Sequence, residues 1–206
     1  MKITRKLLVS LEVCDEGLEY FDENKLEDID VFGLINQLID ENKFTWINWL
    51  LARVYNHDNC IRYAIYAAES VLHIFEDKYP DDMRPRQAIE AIKNLLFEQS
   101  ANNDDIDYAI VAAADACVAD CATAYNDIVY TVSVFNYVTS GAGFAIRAIH
   151  IACATCLYDD VDVVSITNIA DAANEATIKA KRKDIQAKII IYGIKLLKQQ
   201  LEDIAV

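Results

Sequence analysis

The stretch CIRYAIYAAESVLHIFEDKYPDDMRPRQAIEAIKNLL (residues 60–96) combines two helical patterns with a corner between them. Tyr79 and Pro80 end the first helix, because the residue before a proline is pushed out of the helical region. Pro85 suits the first turn of the second helix, where its missing N–H costs nothing. Apolar residues recur at helical spacing on one side of each helix. They are Cys60, Ala64, Ala67, Val71, Ile74 and Phe75 on the first, and Ala88, Ile89, Ile92, Leu95 and Leu96 on the second.

Polar side chains of the same stretch form the candidate site. One face of the first helix carries residues three, four or seven positions apart, namely Arg62, Glu69, His73 and Glu76. The simplest interpretation is a solvated face with weak ion pairs. A sharper hypothesis is that one of the two corner arginines folds back onto Glu69 or Glu76 and fixes the corner. The candidate residues of this binding or structural corner are Glu69, His73, Glu76, Asp82, Arg84, Arg86 and Glu90.

This stretch resembles the signature of the Imm-5-like immunity proteins of bacteria. In that family a helix ending in F-E is followed by a P-x-D-x-R-P-R-x-A-I-E-A corner. The matching residues here are Phe75, Glu76, Pro80, Asp82, Arg84, Pro85, Arg86, Ala88, Ile89, Glu90 and Ala91. The likeness is specific over residues 69–96 and looser over most of the remaining chain. The resemblance implies a protein that neutralises a toxin by forming a complex with it.

Composition predicts an all-α fold. Hydrophobic residues make up 54% of the 206 residues, with only 5 glycines and 2 prolines. So few helix-breaking residues indicate long helices and short corners. We therefore expect a bundle or short solenoid-like stack of about eight or nine helices. The expected organisation is a single domain over residues 1–206, in which the N-terminal helices of residues 1–56 pack on an Ala-rich core, residues 57–206.

The N-terminal part predicts three helices before the central stretch. They cover residues 3–21, Val31 to Ile39, and Phe44 to Val54. Asp28 or Asp30 is expected to cap the second, and Asp58 to cap the helix that follows the third. Trp46 and Trp49, three residues apart, are more typical of a core than of a binding site.

The C-terminal part predicts helices over residues 106–125 and 144–158, then a long amphipathic stretch from Ser165 or Thr167 to about Gln200, with Gly193 as the place for a kink. Residues 127–138 (DIVYTVSVFNYV) are β-branched and aromatic, which favours a strand. Their position between Ala-rich helical segments favours a buried helix, and we expect the helix.

Charge restricts the classes of partner. The formal net charge of −14 disfavours nucleic acid and anionic membrane surfaces, and it favours a basic protein partner. Acidic residues interrupt the N-terminal apolar run, so no targeting segment is expected, and the cytoplasm of a bacterial or phage-infected cell is the expected location. Homo-oligomerisation is left open.

No motif for catalysis, a cofactor or a metal is expected. The histidines His57, His73 and His150 are scattered, and no G-x-S-x-G or H-E-x-x-H is present. Cys153 and Cys156 form an isolated C-x-x-C inside a helical pattern. We interpret the six cysteines as small buried hydrophobes rather than as metal or redox sites.

Three functions compete at this point. The leading hypothesis is a binding-type inhibitor that neutralises a toxin, as the resemblance implies. The second is a phage counter-defence protein that binds a host defence effector. The third is an enzyme or small-molecule binder whose polar centre is formed by Glu69, His73, Arg84 and Arg86.

Overall fold

The computed structural model describes residues 1–98, 163–179 and 183–204, and these residues are mainly helical. The described helices are α1 Arg5–Ser10, α2 Asp15–Glu23, α3 Val31–Asp40, α4 Phe44–Val54, α5 His57–Glu76, α6 Arg84–Glu98, α7 Val163–Lys179 and α8 Lys183–Ile204. Two short antiparallel strands, β1 Lys2–Ile3 and β2 Ile29–Asp30, pair in the register Lys2 with Asp30 and Ile3 with Ile29. The predicted all-α fold is confirmed.

Several predictions fall outside the described residues. These are the helices over residues 106–125 and 144–158, the ambiguous segment 127–138, His150, and the cysteines 117, 121, 153 and 156. The organisation as one domain over residues 1–206 stays a prediction.

The core is formed where α4, α5, α7 and α8 pack together. Helix α7 contacts α4, α5 and α8, and α8 also contacts α4 and α5. Helices α5 and α7 contact each other, and both bury alanines, including the fully buried Ala64, Ala67, Ala173 and Ala176. Small side chains let two helix backbones approach closely, so the Ala-rich sequence of these helices serves packing. Helix α6 packs on α5, and α3 packs on α4.

The N-terminal segment corrects one prediction. The single helix expected over residues 3–21 is two helices, because the chain breaks between Ser10 and Asp15. Glu12 adopts a positive φ of 59°, which no helix continues through. Two acidic residues in the first turn of α2 then favour a new helix start, because they interact well with the positive end of its dipole.

Helix caps agree with the sequence in one place and differ in another. Asp30 caps α3 as predicted, since its carboxylate accepts a hydrogen bond from the Phe32 N–H at 3.0 Å. The predicted cap Asp58 is wrong, because α5 begins at His57 and Asp58 lies inside its first turn. Asn56 is the actual cap, and its side-chain oxygen accepts from the Asn59 N–H at 2.9 Å.

Gln200 joins the C-terminal helix to the corner between α4 and α5. Its side-chain oxygen accepts from the Asn56 N–H at 2.8 Å and from the Asn59 side-chain amide at 2.9 Å. Its amide nitrogen donates to the Val54 carbonyl at 2.9 Å. One buried side chain therefore satisfies backbone groups that the end of α4 and the start of α5 leave unpaired.

The C-terminal stretch also differs from the prediction. The expected helix from Ser165 or Thr167 to Gln200 is present as α7 and α8, and α7 begins at Val163. The side-chain amide of Gln186 donates to the side-chain oxygen of Asn174. In one straight helix these two positions would lie about 18 Å apart. Because their side chains are hydrogen-bonded, α7 and α8 do not form one straight helix. Helix α8 continues through Gly193, and a kink at this position stays a prediction.

Candidate functional site

The α5–α6 corner (residues 77–83) follows the C-terminus of α5 with a compact turn. The Asp77 N–H donates to the His73 carbonyl at 2.8 Å, and the Tyr79 N–H donates to the Phe75 carbonyl at 2.9 Å. The rings of Phe75 and Tyr79 lie 5.0 Å apart between centroids, which seats the start of the corner against the core residue Phe75. Pro85 lies in the first turn of α6, as the sequence predicts. The corner therefore has a defined backbone on both sides.

Arg86 reaches back across the corner to Glu76. Its Nε and one terminal nitrogen each donate to a different carboxylate oxygen of Glu76, both at 2.7 Å. This two-bond geometry raises the pKa of Arg86, chiefly through the hydrogen bond to Glu76. The hypothesis that a corner arginine folds back onto Glu69 or Glu76 is confirmed for Arg86 and Glu76. The pair joins the last residue of α5 to the first turn of α6.

Arg84 pairs with Asp82, two residues before it. The guanidinium donates to both carboxylate oxygens, at 2.8 Å and 2.6 Å, and the Arg84 backbone N–H donates to the same carboxylate at 3.2 Å. These hydrogen bonds hold the pKa of Asp82 below its usual value, with the side chain of Arg84 as the largest cause. Asp82 therefore accepts the backbone N–H at the start of α6 and orients the Arg84 side chain at the same time.

The other candidate residues lie in different surroundings. Glu69 accepts a hydrogen bond from the Lys93 ammonium at 2.9 Å, which is a second link between α5 and α6. His73 lines a cavity of about 280 Å³ together with Ser70 of α5, and Ile185 and Lys188 of α8. Glu90 is exposed on α6. The structure thus pairs Arg86 with Glu76 and Arg84 with Asp82. The charges of Glu90 and Glu69 also act on Arg86 and contribute, less than Glu76 does, to its raised pKa.

An open depression of about 590 Å³ lies beside these pairs, and we call it the corner depression. It is lined by Lys78, Tyr79, Pro80, Asp81, Asp82, Met83, Arg84 and Gln87. Met83 is 45% exposed, and Asp81 is exposed as well. The depression thus combines an aromatic ring and a thioether with two carboxylates and two cations, Lys78 and Arg84.

Sequence reasoning missed a buried polar group in the core. The Asn48 side chain is 2% exposed, and its amide donates to the Asp171 carboxylate at 3.1 Å. Its carbonyl accepts from the Tyr63 hydroxyl at 2.8 Å. This hydrogen-bonded triad connects α4, α5 and α7. Asn48 stands between Ile47 and Trp49 within the apolar run of α4, and a polar residue in such a run is the signal that could have indicated a buried partner.

Asp171 gives the triad a pH dependence. Burial raises its pKa to about 6, the Asn48 hydrogen bond lowers it, and the charge of Glu175 raises it. The folded protein therefore binds the proton of the Asp171 carboxyl group more tightly than the unfolded chain does. Because the pKa of Asp171 is higher in the folded protein than in the unfolded chain, the stability falls as pH rises. The fall takes place between the unfolded pKa near 4 and the folded pKa near 6.

We expect Asp171→Asn to remove this loss. Below pH 4 the variant and the wild type should unfold at similar urea concentrations. Above pH 6 the variant should be more stable by about 2–3 kcal/mol, because a neutral amide replaces a buried charge and still accepts from Asn48. Urea denaturation of both proteins from pH 4 to pH 8 measures the difference. A stability difference that does not change with pH would contradict the prediction.

Replacing Arg86 with alanine should have a small effect on stability. The Arg86 and Glu76 side chains are 44% and 23% exposed, so water screens the pair. We expect a loss of about 1 kcal/mol or less, well below the 3–5 kcal/mol that a buried pair would cost. Thermal unfolding of Arg86→Ala, Glu76→Ala and the double variant gives the coupling energy. A loss of several kcal/mol would contradict the prediction and would mean that Arg86 makes stabilising contacts besides its pair with Glu76.

The cysteine interpretation holds for one of the two described cysteines. Cys60 is buried, its thiol contacts the Ala52 carbonyl at 3.6 Å, and burial raises its pKa to about 11. Cys14 is exposed, so for this residue the interpretation as a buried hydrophobe is wrong.

Within residues 1–98, 163–179 and 183–204, no helix has both the length and the apolar composition that a membrane span needs.

Comparison with known families points to the same corner. The model of the family described as Imm-5 like putative immunity protein matches residues 51–117. This match covers about a third of the chain and includes α5, the α5–α6 corner and α6. The resemblance inferred from the sequence is confirmed over this segment. Searches of curated proteins and of solved structures found no match.

Proposed function

We propose that this protein is an immunity protein that binds a toxin and neutralises it by forming a complex. The family match over residues 51–117 carries the proposal, because it is centred on the α5–α6 corner. The family is described as one of immunity proteins, and such a protein acts by binding a partner. The proposed location is the cytoplasm, where an intracellular toxin would act.

The charge of the chain supports a basic partner. With a net charge of −14, the protein attracts a positively charged toxin and accelerates their encounter. Exposed carboxylates are dense on α2, where Asp15, Glu16, Glu19, Asp22 and Glu23 are all exposed. Opposite charge favours fast association, whereas the buried contacts of the interface determine how slowly the complex dissociates.

The test begins with affinity purification of the tagged protein from lysate of its native host, with mass spectrometry of the proteins recovered at stoichiometric amounts. Each recovered protein is then expressed alone and together with this chain in a sensitive bacterial strain. We expect one of them to arrest growth alone and to be tolerated when this chain is present. The absence of any protein whose toxicity this chain relieves would refute the proposal.

The same experiment separates the alternatives. Recovery of a host defence effector that this chain inhibits would assign a phage counter-defence role. Recovery of no protein partner would favour the small-molecule hypothesis, and ligand screening by thermal shift would follow. The physical basis of binding is the same for a toxin and a defence effector, so the identity of the partner makes the distinction.

We expect the affinity of the complex to depend on salt. If the acidic surface steers a basic toxin, raising NaCl from 50 mM to 500 mM should slow association by about tenfold or more, with a smaller effect on dissociation. Surface plasmon resonance at several salt concentrations separates the two rates. An association rate that is insensitive to salt would leave the immunity function intact and would refute the electrostatic part of the proposal.

A further inference from the structure

Helix α8 carries a basic face on an otherwise acidic protein. Four of its positions follow each other at intervals of three or four residues, so they share one side of the helix. We call this side the lysine stripe, and its members are Lys188, Ile191, Lys195 and Lys198. All four residues are exposed, and Asp184 and Glu202 bound the stripe at its two ends. Positive charge is therefore concentrated on one face of a chain whose net charge is −14.

The three lysines of the stripe are not paired with the described part of their own chain. No ion pair or side-chain hydrogen bond joins them to a residue within 1–98, 163–179 or 183–204. Lys93 differs from them, because its ammonium is bonded to Glu69 at 2.9 Å. The ammonium groups of the stripe are therefore available to the carboxylates of a partner.

Ile191 gives the lysine stripe an apolar centre. This residue is 63% exposed and lies between Lys188 and Lys195 on the same face. Beside it, the Tyr192 ring stacks on the Tyr66 ring of α5 with 3.9 Å between centroids, which fixes this side of α8 against α5. Lysine stems cover apolar surface while their charged ends reach outward. An apolar centre with a polar rim is the usual anatomy of a protein interface, so the stripe suits a protein surface that carries carboxylates.

Helix α2 presents the complementary charge. Glu16, Glu19 and Glu23 are three and four positions apart, so they form one exposed face of this helix. None of the three is paired with a cation in the described part of the chain. Their neighbour Asp22 is already paired with Arg5 at 3.1 Å and is not counted in the face. Three carboxylates of α2 are therefore available to the ammonium groups of a partner.

The two faces also match in spacing. Lys188 and Lys195 are seven residues apart, and so are Glu16 and Glu23. Seven residues of α-helix span about 10.5 Å, so two packed helices can place both lysines opposite both glutamates at once. Because the lysine stripe is exposed and unpaired within its own protomer, this match can be made only between two copies. The net negative charges of the copies repel at long range, but physiological salt screens that repulsion beyond about 8 Å.

We infer that the lysine stripe of one copy of this chain docks on α2 of a second copy, with Lys188 and Lys195 paired to Glu16 and Glu23 and with Ile191 covered between them. A contact between two different surfaces closes as a ring when the geometry allows and otherwise extends as an open chain. The inference is independent of the proposed immunity function, although a toxin that bound the same carboxylates would compete with the second copy.

The test reverses the charge of each face separately in the full chain. The stripe variant carries Lys188→Glu and Lys195→Glu, and the α2 variant carries Glu16→Lys and Glu23→Lys. Each variant alone opposes like charges across the contact. In an equimolar mixture the acidic stripe of one variant meets the basic α2 of the other, and the reciprocal contact is also complementary. Only a contact between these two faces restores association in the mixture.

Matched controls separate the contact from general effects. Lys2→Glu with Lys6→Glu changes the net charge as the stripe variant does, at exposed residues outside both faces. Ile191→Gln removes the apolar centre without changing any charge. Its control is Ile204→Gln, on the same helix at a residue that is 74% exposed and lies off the stripe. Thermal unfolding verifies that every variant is folded.

Sedimentation velocity of the purified chain at about 0.15 M NaCl measures the association. We expect the mass of the wild type to rise with protein concentration up to about 0.5 mM. The stripe variant and the α2 variant should each associate at least about tenfold more weakly, and their mixture should regain the wild-type strength. Ile191→Gln should weaken association by at least about threefold. Both controls should stay within about twofold of the wild type.

Several outcomes would overturn the inference. A wild type that stays monomeric over this concentration range has no such contact. Association that survives in the stripe variant or the α2 variant places the contact on another surface. Loss in both variants without recovery in their mixture means that α8 and α2 do not pair with each other. The α2 variant has less net negative charge than the wild type, so its loss of association cannot come from general repulsion. No toxin takes part, so the proposed function is tested separately.

Discussion

The substitution Gly193→Val is expected to lower the free energy of unfolding by about 3 kcal/mol or more. Gly193 lies in α8 where this helix crosses α4 and α5. A β-carbon at this position would stand 2.7 Å from the Leu51 side chain, 2.7 Å from the Tyr63 ring and 2.9 Å from the Tyr55 hydroxyl. Leu51 and Tyr63 are fully buried, so neither has space to move away.

The Gly193 backbone also takes part in the contact. The Tyr55 hydroxyl donates to the Gly193 carbonyl at 2.7 Å, so a helix displaced by the new side chain would lose this hydrogen bond. Valine forms helices slightly better than glycine, but that gain is only a few tenths of a kcal/mol. The steric cost is larger, and it determines the sign of the effect.

Gly33→Val is the matched control. Gly33 is exposed on α3, and a β-carbon there would meet only the Ile29 side chain, at 3.5 Å and 3.7 Å. Both glycines are helical, so the substitution is chemically identical, and we expect a change within about 0.5 kcal/mol at this site. Urea denaturation monitored by circular dichroism compares the two. Similar losses at both positions would show that the close approach of α8 does not determine the cost.

The second large effect is expected for Asn48→Leu, at about 3–5 kcal/mol. Leucine has a similar size, but it leaves the Tyr63 hydroxyl without its acceptor and Asp171 without its donor. Each buried polar group that loses its partner costs about 1–3 kcal/mol. The loss of stability should be smaller near pH 5 than at pH 8. Near pH 5 Asp171 is largely protonated, and the uncharged carboxyl group tolerates burial better than the carboxylate does.

A double variant tests whether unsatisfied polar groups are the cause. Tyr63→Phe alone should cost about 1–2 kcal/mol, because the Asn48 carbonyl loses its donor. Adding it to Asn48→Leu removes the orphaned hydroxyl, so the double variant should be less destabilised than the sum of the two single variants. Strictly additive losses, measured by urea denaturation, would indicate that altered packing rather than hydrogen bonding causes the effect.

The sequence predicted the helical class and the helical hairpin of α5, the α5–α6 corner and α6, because both depend on local signals. Helical spacing, Pro80 and Pro85 determine α5, the corner and α6 with no help from distant parts of the chain. The Arg86–Glu76 pair was among the predicted alternatives for the same reason, since the two residues are separated only by the corner.

Other features depend on residues that are distant in sequence, and no local pattern contains them. Asn48 meets Asp171 across 123 positions, and Tyr55 meets Gly193 across 138. The break between α1 and α2 has a related origin. The helical pattern continues across residues 11–14, but the strand at Lys2–Ile3 pairs with Ile29–Asp30, and the chain must turn to make that pairing. Tertiary contacts override helical periodicity in such places.

The joint made by Gln200 has a consequence for how the chain folds. Helix α8 packs against α4 and α5 across 137 to 146 positions of sequence, so these two helices are synthesised well before α8 can pack on them. Contacts of such long range slow folding, because a large loop must close before they form. Until α8 docks, Leu51 and Tyr63 lack part of the contact that buries them in the folded protein, and apolar surface that is exposed during folding favours aggregation. The family match therefore ends at residue 117, whereas the packing that buries α4 and α5 also requires the later helix α8.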